Sequence, residues 1–191
     1  MTAEPATQAT PRFTLASRLL HWLMAPMVIA QLLLGVTMVA ALAYYPLLLA
    51  IHRPVGLLIL AFAVVRLANR LTHRPPAFLA TMSRAERRIA TWSEYLLYAL
   101  LLVQPLTGWA MLSAARFPVT LAGPLRLPFI APRNLDLFAV LRECHGVLAF
   151  LLFAAFTAHM CAVLFHTLVL RDRLLDRMAL WRTRRVRPEQ A

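Results

Sequence analysis

The sequence predicts an all-α membrane protein: a bundle of four transmembrane helices running up and down. The first observation is composition. Of 191 residues, 61% are hydrophobic and 15% charged, with mean hydropathy +0.67, which is more apolar surface than one soluble domain buries. The second is length. Four apolar stretches, about residues 17–42, 47–70, 93–114 and 144–170, each reach the ~20 residues that a hydrocarbon core demands. The third is charge. All 20 basic residues are arginines; fourteen fall in the N-terminal segment, the second connection and the tail, against five in the first and third connections. Basic residues accumulate on the cytoplasmic side of a membrane, so both termini are expected there.

The first span, Ser17 to Leu42, is too long for a cleavable signal peptide and no small-residue cleavage site follows it, so it reads as a retained anchor. A polar stretch of about ten residues precedes it and reads as mobile. The second span runs from Leu47 to Arg70. The connection after it, His73 to Arg88, opens on Pro75-Pro76 and continues as a charged amphipathic stretch suited to the cytoplasmic interface. The third span, Ser93 to Ala114, carries Gln104, Pro105 and Gly108, and the proline and glycine predict a kink. The third connection, Ala115 to Glu143, holds prolines at 118, 124, 128 and 132 and reads as a structured cap on the outer face. The fourth span is Cys144 to Leu170. The whole chain, 1–191, reads as a single membrane domain without an internal repeat.

The net charge of +12 follows from this arginine bias, with attraction to anionic lipid head groups, and points to the bilayer as partner rather than to nucleic acid. Cys144 and Cys161 stand about 25 Å apart along one helix, beyond the reach of a disulfide, and read as helix-packing residues. No Cys-x-x-Cys-His stretch is present, which excludes a covalently attached c-type haem.

Chemistry enters with the histidines. His145 and His159 are fourteen residues apart on the fourth span; on a helix they face within about 40° of each other and about 21 Å apart in depth. His21 opens the first span from inside, and His52 opens the second from outside. Depth therefore matches His52 with His145 at the outer level and His21 with His159 at the inner level. Each histidine alone is as readily an interfacial residue. Four that pair in depth predict two six-coordinate b-type haems in the bundle core, since facing helices supply axial imidazoles there, and intramembrane ionisable groups are costly unless used. His166, seven residues past His159 on almost the same face, stands as an alternative inner ligand, a proton gate or an interfacial residue; His73 reads as an exposed loop residue.

Leu20-His21-Trp22, Ile51-His52, Val64-Val65-Arg66-Leu67, Gln104-Pro105-Leu106-Thr107-Gly108-Trp109, and Cys144-His145-Gly146 followed by His159 and His166 resemble the bacterial cytochrome b561 family over most of the chain, from about Pro11 to Trp181. The resemblance implies haem ligands at His21, His52, His145 and His159, with the inner haem held by the first and last and the outer by the middle two. It also implies a bacterial inner membrane, ubiquinone as substrate or bound electron carrier, and, among di-haem members of this size, oxidation of superoxide at the outer face with reduction of ubiquinone.

Haem propionates are anionic, and Arg66 and Arg53 are candidate partners for them, with Arg70 and Arg142 beside these; snorkelling to lipid head groups is the competing role. The kink expected at Pro105 makes room for a macrocycle, while Gln104 reads as bonding a neighbouring backbone. Trp22, Trp92 and Trp181 suit an interfacial belt. The outer connections carry five arginines against Asp136 and Glu143, a local excess of three positive charges that would attract a small anion. Three functions compete: an oxidoreductase between quinone and a small oxidant or reductant such as superoxide; an anchoring cytochrome subunit relaying electrons between quinone and a hydrogenase or dehydrogenase partner; and a haem-free helical protein whose histidines bind a transition metal or move protons.

Overall fold

A computed structural model describes residues 12–120 and 126–181. The polar N-terminal stretch, Pro124 and the tail arginines 182, 184, 185 and 187 lie outside the described residues. Four helices make the fold: α1 (Leu15–Ala40), α2 (Tyr45–Thr72), α3 (Arg84–Ala114) and α4 (Leu135–Leu164), the last continued by a π-helical turn over Phe165–Leu170. Each is long and apolar enough to cross a membrane. α1 packs on α2, α2 on α3 and α3 on α4. Outward faces are apolar, with Val39 81% and Phe150 77% exposed, which suits helices solvated by lipid rather than water.

α3 and α4 begin earlier than their apolar runs. Ser83 and Glu86 form a reciprocal capping box, Glu86 N donating to Ser83 Oγ at 3.2 Å and Ser83 N to Glu86 Oε2 at 2.6 Å. The charged stretch expected as an interfacial connection is thus largely the first turns of α3. Asn134 starts α4 by accepting from Leu137 N at 2.9 Å, so the connection expected as a cap narrows to residues 115–134. Apolarity marks where a helix meets lipid, whereas the caps mark where its backbone begins. Ser83→Ala is expected to lower stability by about 1 kcal/mol, read as a lower thermal midpoint in detergent with unchanged helix content.

Pro26, Pro54 and Pro105 lie inside α1, α2 and α3, and each helix continues through its proline. Loss of one backbone donor is tolerated within a membrane bundle. The ends are fastened differently. At the cap end, Leu127 N donates to Val119 O at 2.9 Å, Trp109 Nε1 to Pro128 O at 3.0 Å and Asn134 N to Ala114 O at 3.1 Å. At the opposite end, the segment after α4 folds back over α1: Arg12 donates to the carbonyls of Asp176, Ala179 and Trp181, Arg18 to Ala179 O, and Trp22 Nε1 to Met178 O at 2.9 Å. Arg70 forks onto Glu94 between α2 and α3, at 2.6 and 3.2 Å.

Met24 and Val28 of α1 pack with Ile59 and Ala63 of α2, flanked by Leu101 and Leu102 of α3. Along α1 these residues lie between His21 and Gln31, and along α2 between His52 and Arg66. An apolar layer therefore separates two polar levels.

Candidate functional site

At the cap-end level, His52 of α2 and His145 of α4 approach with ring centroids 6.3 Å apart and planes at 76°. Two imidazoles bonded to opposite sides of one metal through nitrogens at about 2.0–2.1 Å stand about 6 Å apart centre to centre. The observed separation fits that arrangement. His145 Nδ1 lies 3.1 Å from the carbonyl oxygen of Gln104, a bond that fixes ring orientation, and its Nε2 lies 3.3 Å from the Gln104 side-chain amide nitrogen. Glycine makes the approach possible: a Cβ on Gly108 of α3 would come within 3.0 Å of His145 Cε1.

At the other level, His159 of α4 and Arg66 of α2 are within electrostatic reach of His21 of α1, and Arg66 is within reach of His159 as well. The Arg66 guanidinium also lies over the Tyr98 ring of α3, 5.6 Å from its centroid. The structure thus brings His52 and His145 together, and sets His21, His159 and Arg66 within electrostatic reach of one another.

Several buried polar atoms lack a hydrogen-bond partner among the described residues: Arg18 Nε, His21 Nδ1, His52 Nδ1, Arg53 Nε, Gln31 Oε1 and Gln104 Oε1. A buried polar group without a partner costs about 1–3 kcal/mol, so such atoms mark where a polar ligand is met. All but Arg18 Nε, whose side chain bonds Ala179 O, belong to His21, His52 or residues that adjoin or bond the cap-end histidines. Among the described residues, no group of three or more His, Cys, Asp or Glu could hold a metal ion by itself. The donor set, two axial imidazoles with arginines nearby, therefore fits a haem, whose macrocycle supplies the remaining metal ligands.

Arg70 is already engaged by Glu94, and Arg142 is exposed beside Glu143 and Cys144. His166 is buried, with Nδ1 2.5 Å from Asp172 Oδ2, and lines a cavity of about 310 Å³ with Thr81, Met82, Glu86, Leu170 and Asp172. His73 is exposed at the end of α2, as expected. Cys144 and Cys161 are exposed on α4, which corrects the expectation that they pack between helices. Trp92 and Trp181 are exposed and suit an interfacial belt, but Trp22 is tied into the fold by its bond to Met178.

The family model for prokaryotic cytochrome b561 matches residues 12–180. The chain belongs to that family. The cytochrome b561 fold is a four-helix bundle and the family binds b-type haem, so the protein is a multi-pass membrane cytochrome of electron transport. It is 29% identical to the protein named probable superoxide oxidase CybB of Yersinia pestis over 160 residues, 83% of this chain and 90% of that protein. It is 28% identical to cytochrome b561 homolog 2 of Escherichia coli (strain K12) over 125 residues, 64% of this chain and 66% of that protein.

Sequence reasoning missed Gln31, whose Nε2 donates to His52 O at 2.8 Å. Gln104 bonds a neighbouring backbone, as expected, and that backbone is the His145 carbonyl, at 3.1 Å. The signal was available as a repeat: Gln31-x-x-x-Gly35 in the first span and Gln104-x-x-x-Gly108 in the third.

Proposed function

We propose that this cytochrome carries electrons across the bacterial inner membrane from superoxide at its outer face to ubiquinone, with both termini cytoplasmic. Two b-type haems, when bound, supply a pair of one-electron carriers at different depths in the bilayer. His52 and His145 hold the outer one, and His21 and His159 hold the inner one. Arg53 Nε, buried without a partner, faces no competing acceptor among the described residues and suits an outer propionate. Arg66, beside both inner histidines, suits an inner one. The apolar layer of Met24, Val28, Ile59 and Ala63 keeps water from the region between the levels.

The reading is carried by the His52–His145 pair, 6.3 Å apart at the cap end, where Arg53, Arg116, Arg126, Arg133 and Arg142 outnumber Asp136 and Glu143. The similarity to a protein named probable superoxide oxidase supports the choice of anion. In the balanced reaction, two superoxide anions each lose one electron and leave as dioxygen, while ubiquinone takes two electrons and two protons to become ubiquinol.

The test mixes the purified, haem-loaded protein with superoxide and ubiquinone and follows the b-type α-band and quinol formation. Superoxide-dependent reduction well above the uncatalysed background is expected. Because surface charges are screened over about 10 Å at 0.1 M salt, its rate should fall as ionic strength rises. Reduction no faster than background would sink the superoxide assignment and leave the relay between quinone and a partner enzyme.

A further inference from the structure

The outer histidines are held in the same way from two different helices. Gln31 of α1 donates its amide to the backbone carbonyl of His52 on α2 at 2.8 Å, and Gln104 of α3 donates its amide to the backbone carbonyl of His145 on α4 at 3.1 Å. Each glutamine has a glycine one helical turn later, and both glycines look at the histidine concerned. A Cβ on Gly35 would lie 4.0 Å from His52 Cε1, and one on Gly108 would lie 3.0 Å from His145 Cε1. The close fit extends to Gly56, where a Cβ would come within 3.1 Å of Gln31 Nε2. Each glutamine also leaves Oε1 buried without a hydrogen-bond partner.

An amide donated to a histidine's own carbonyl fixes the helix that carries the ligand, which a hydrocarbon side chain of equal length cannot do. Axial ligation and the surrounding hydrogen bonds and dipoles are the levers by which a protein sets a haem's potential. The Gln104 amide nitrogen lies 3.3 Å from His145 Nε2, so this dipole stands beside the ring itself.

We infer that Gln31 and Gln104 are a matched pair of positioning residues for the outer haem, which hold its two axial histidines through their carbonyls and set its reduction potential through the amide dipoles beside them. The inference rests on the ligand assignment proposed above, and the two can be tested separately.

The experiment uses the full-length, haem-loaded protein with Gln31→Leu, Gln104→Leu, and Gln31→Met and Gln104→Met, whose unbranched side chain is nearer glutamine in length should the leucine variants fail to accumulate. Haem per chain, redox titration and low-spin electron paramagnetic resonance are measured. His52→Ala identifies the outer haem as the signal it loses; retention of two haems in that variant overturns the ligand assignment itself, independently of the glutamines. With the assignment upheld, each glutamine variant is expected to keep two haems and shift the potential of the outer haem. The shift should be at least tenfold in the reduced-to-oxidised ratio, about 59 mV for a one-electron couple. The outer haem's resonance should move and the inner haem's stay unchanged. Thr107→Val, which removes a hydroxyl bonded only to Val103 O within its own helix, should change neither potential. Outer potentials within error of the parent, or equal shifts at both haems, would overturn the proposal.

Discussion

His159→Ala is expected to leave one haem per chain where the parent binds two, while His166→Ala keeps both. The two residues lie seven apart on nearly one helix face, so periodicity alone leaves either as the inner ligand. Their surroundings separate them. His159 stands within electrostatic reach of His21 and shares Arg66 with it. His166 has its Nδ1 on Asp172 Oδ2 at 2.5 Å and lines a cavity with Glu86, in the π-helical turn that follows α4. A haem count by the reduced pyridine complex, with low-spin resonance to show which centre survives, reads the result directly. Two haems in His159→Ala together with one in His166→Ala would reverse the assignment.

The approach of His52 to His145 follows from helix rise and span order, which is why it was legible before any coordinates. Fourteen residues on one helix set two levels, and arginine counts set which spans enter from the same side. The bundle follows from the same observations, since 61% hydrophobic residues in four long runs leave few other folds. What was not legible is equally physical. The start of α3 is set by Ser83 and Glu86 exchanging hydrogen bonds at a charged sequence, and hydropathy carries no record of that. Gln31 resembles any polar residue in an apolar run until α1 is laid against α2 and its amide meets the His52 carbonyl. The exposure of Cys144 and Cys161 likewise depends on which face of α4 turns toward α3.

Membership of the cytochrome b561 family fixes the general chemistry and leaves the direction of electron flow to the potentials of the two centres. That makes the asymmetry between the levels informative. His52 and His145 are bonded through their carbonyls by two glutamines, with Arg53 next to His52, whereas His21 and His159 share Arg66. Different second neighbours around identical imidazole pairs are the means by which one bundle can give two haems different potentials.

Gly108→Val is expected to cost the outer haem although all four histidines remain. A Cβ at this position would lie 3.0 Å from His145 Cε1 and 3.4 Å from Nδ1, so the ring must move before any further carbon is added. It has little freedom to do so, because Nδ1 is bonded to Gln104 O at 3.1 Å and the backbone carbonyl of the same histidine is bonded to the Gln104 amide. Displacing the ring by even a few tenths of an ångström, with two more methyl groups to seat, takes Nε2 off the line of a metal–nitrogen bond of about 2.0–2.1 Å. The matched control is Gly146→Val, next to the same histidine, where a Cβ would meet nothing within 4 Å. Both substitutions put the same β-branched residue into a helix, so their difference removes the propensity effect of about 1 kcal/mol or less. Gly108→Val should bind about one haem per chain and retain the inner centre's resonance, and Gly146→Val should bind two. If both variants bind two haems with the parent's spectrum, the His145 imidazole is free to step aside and is not the fixed wall of the outer site.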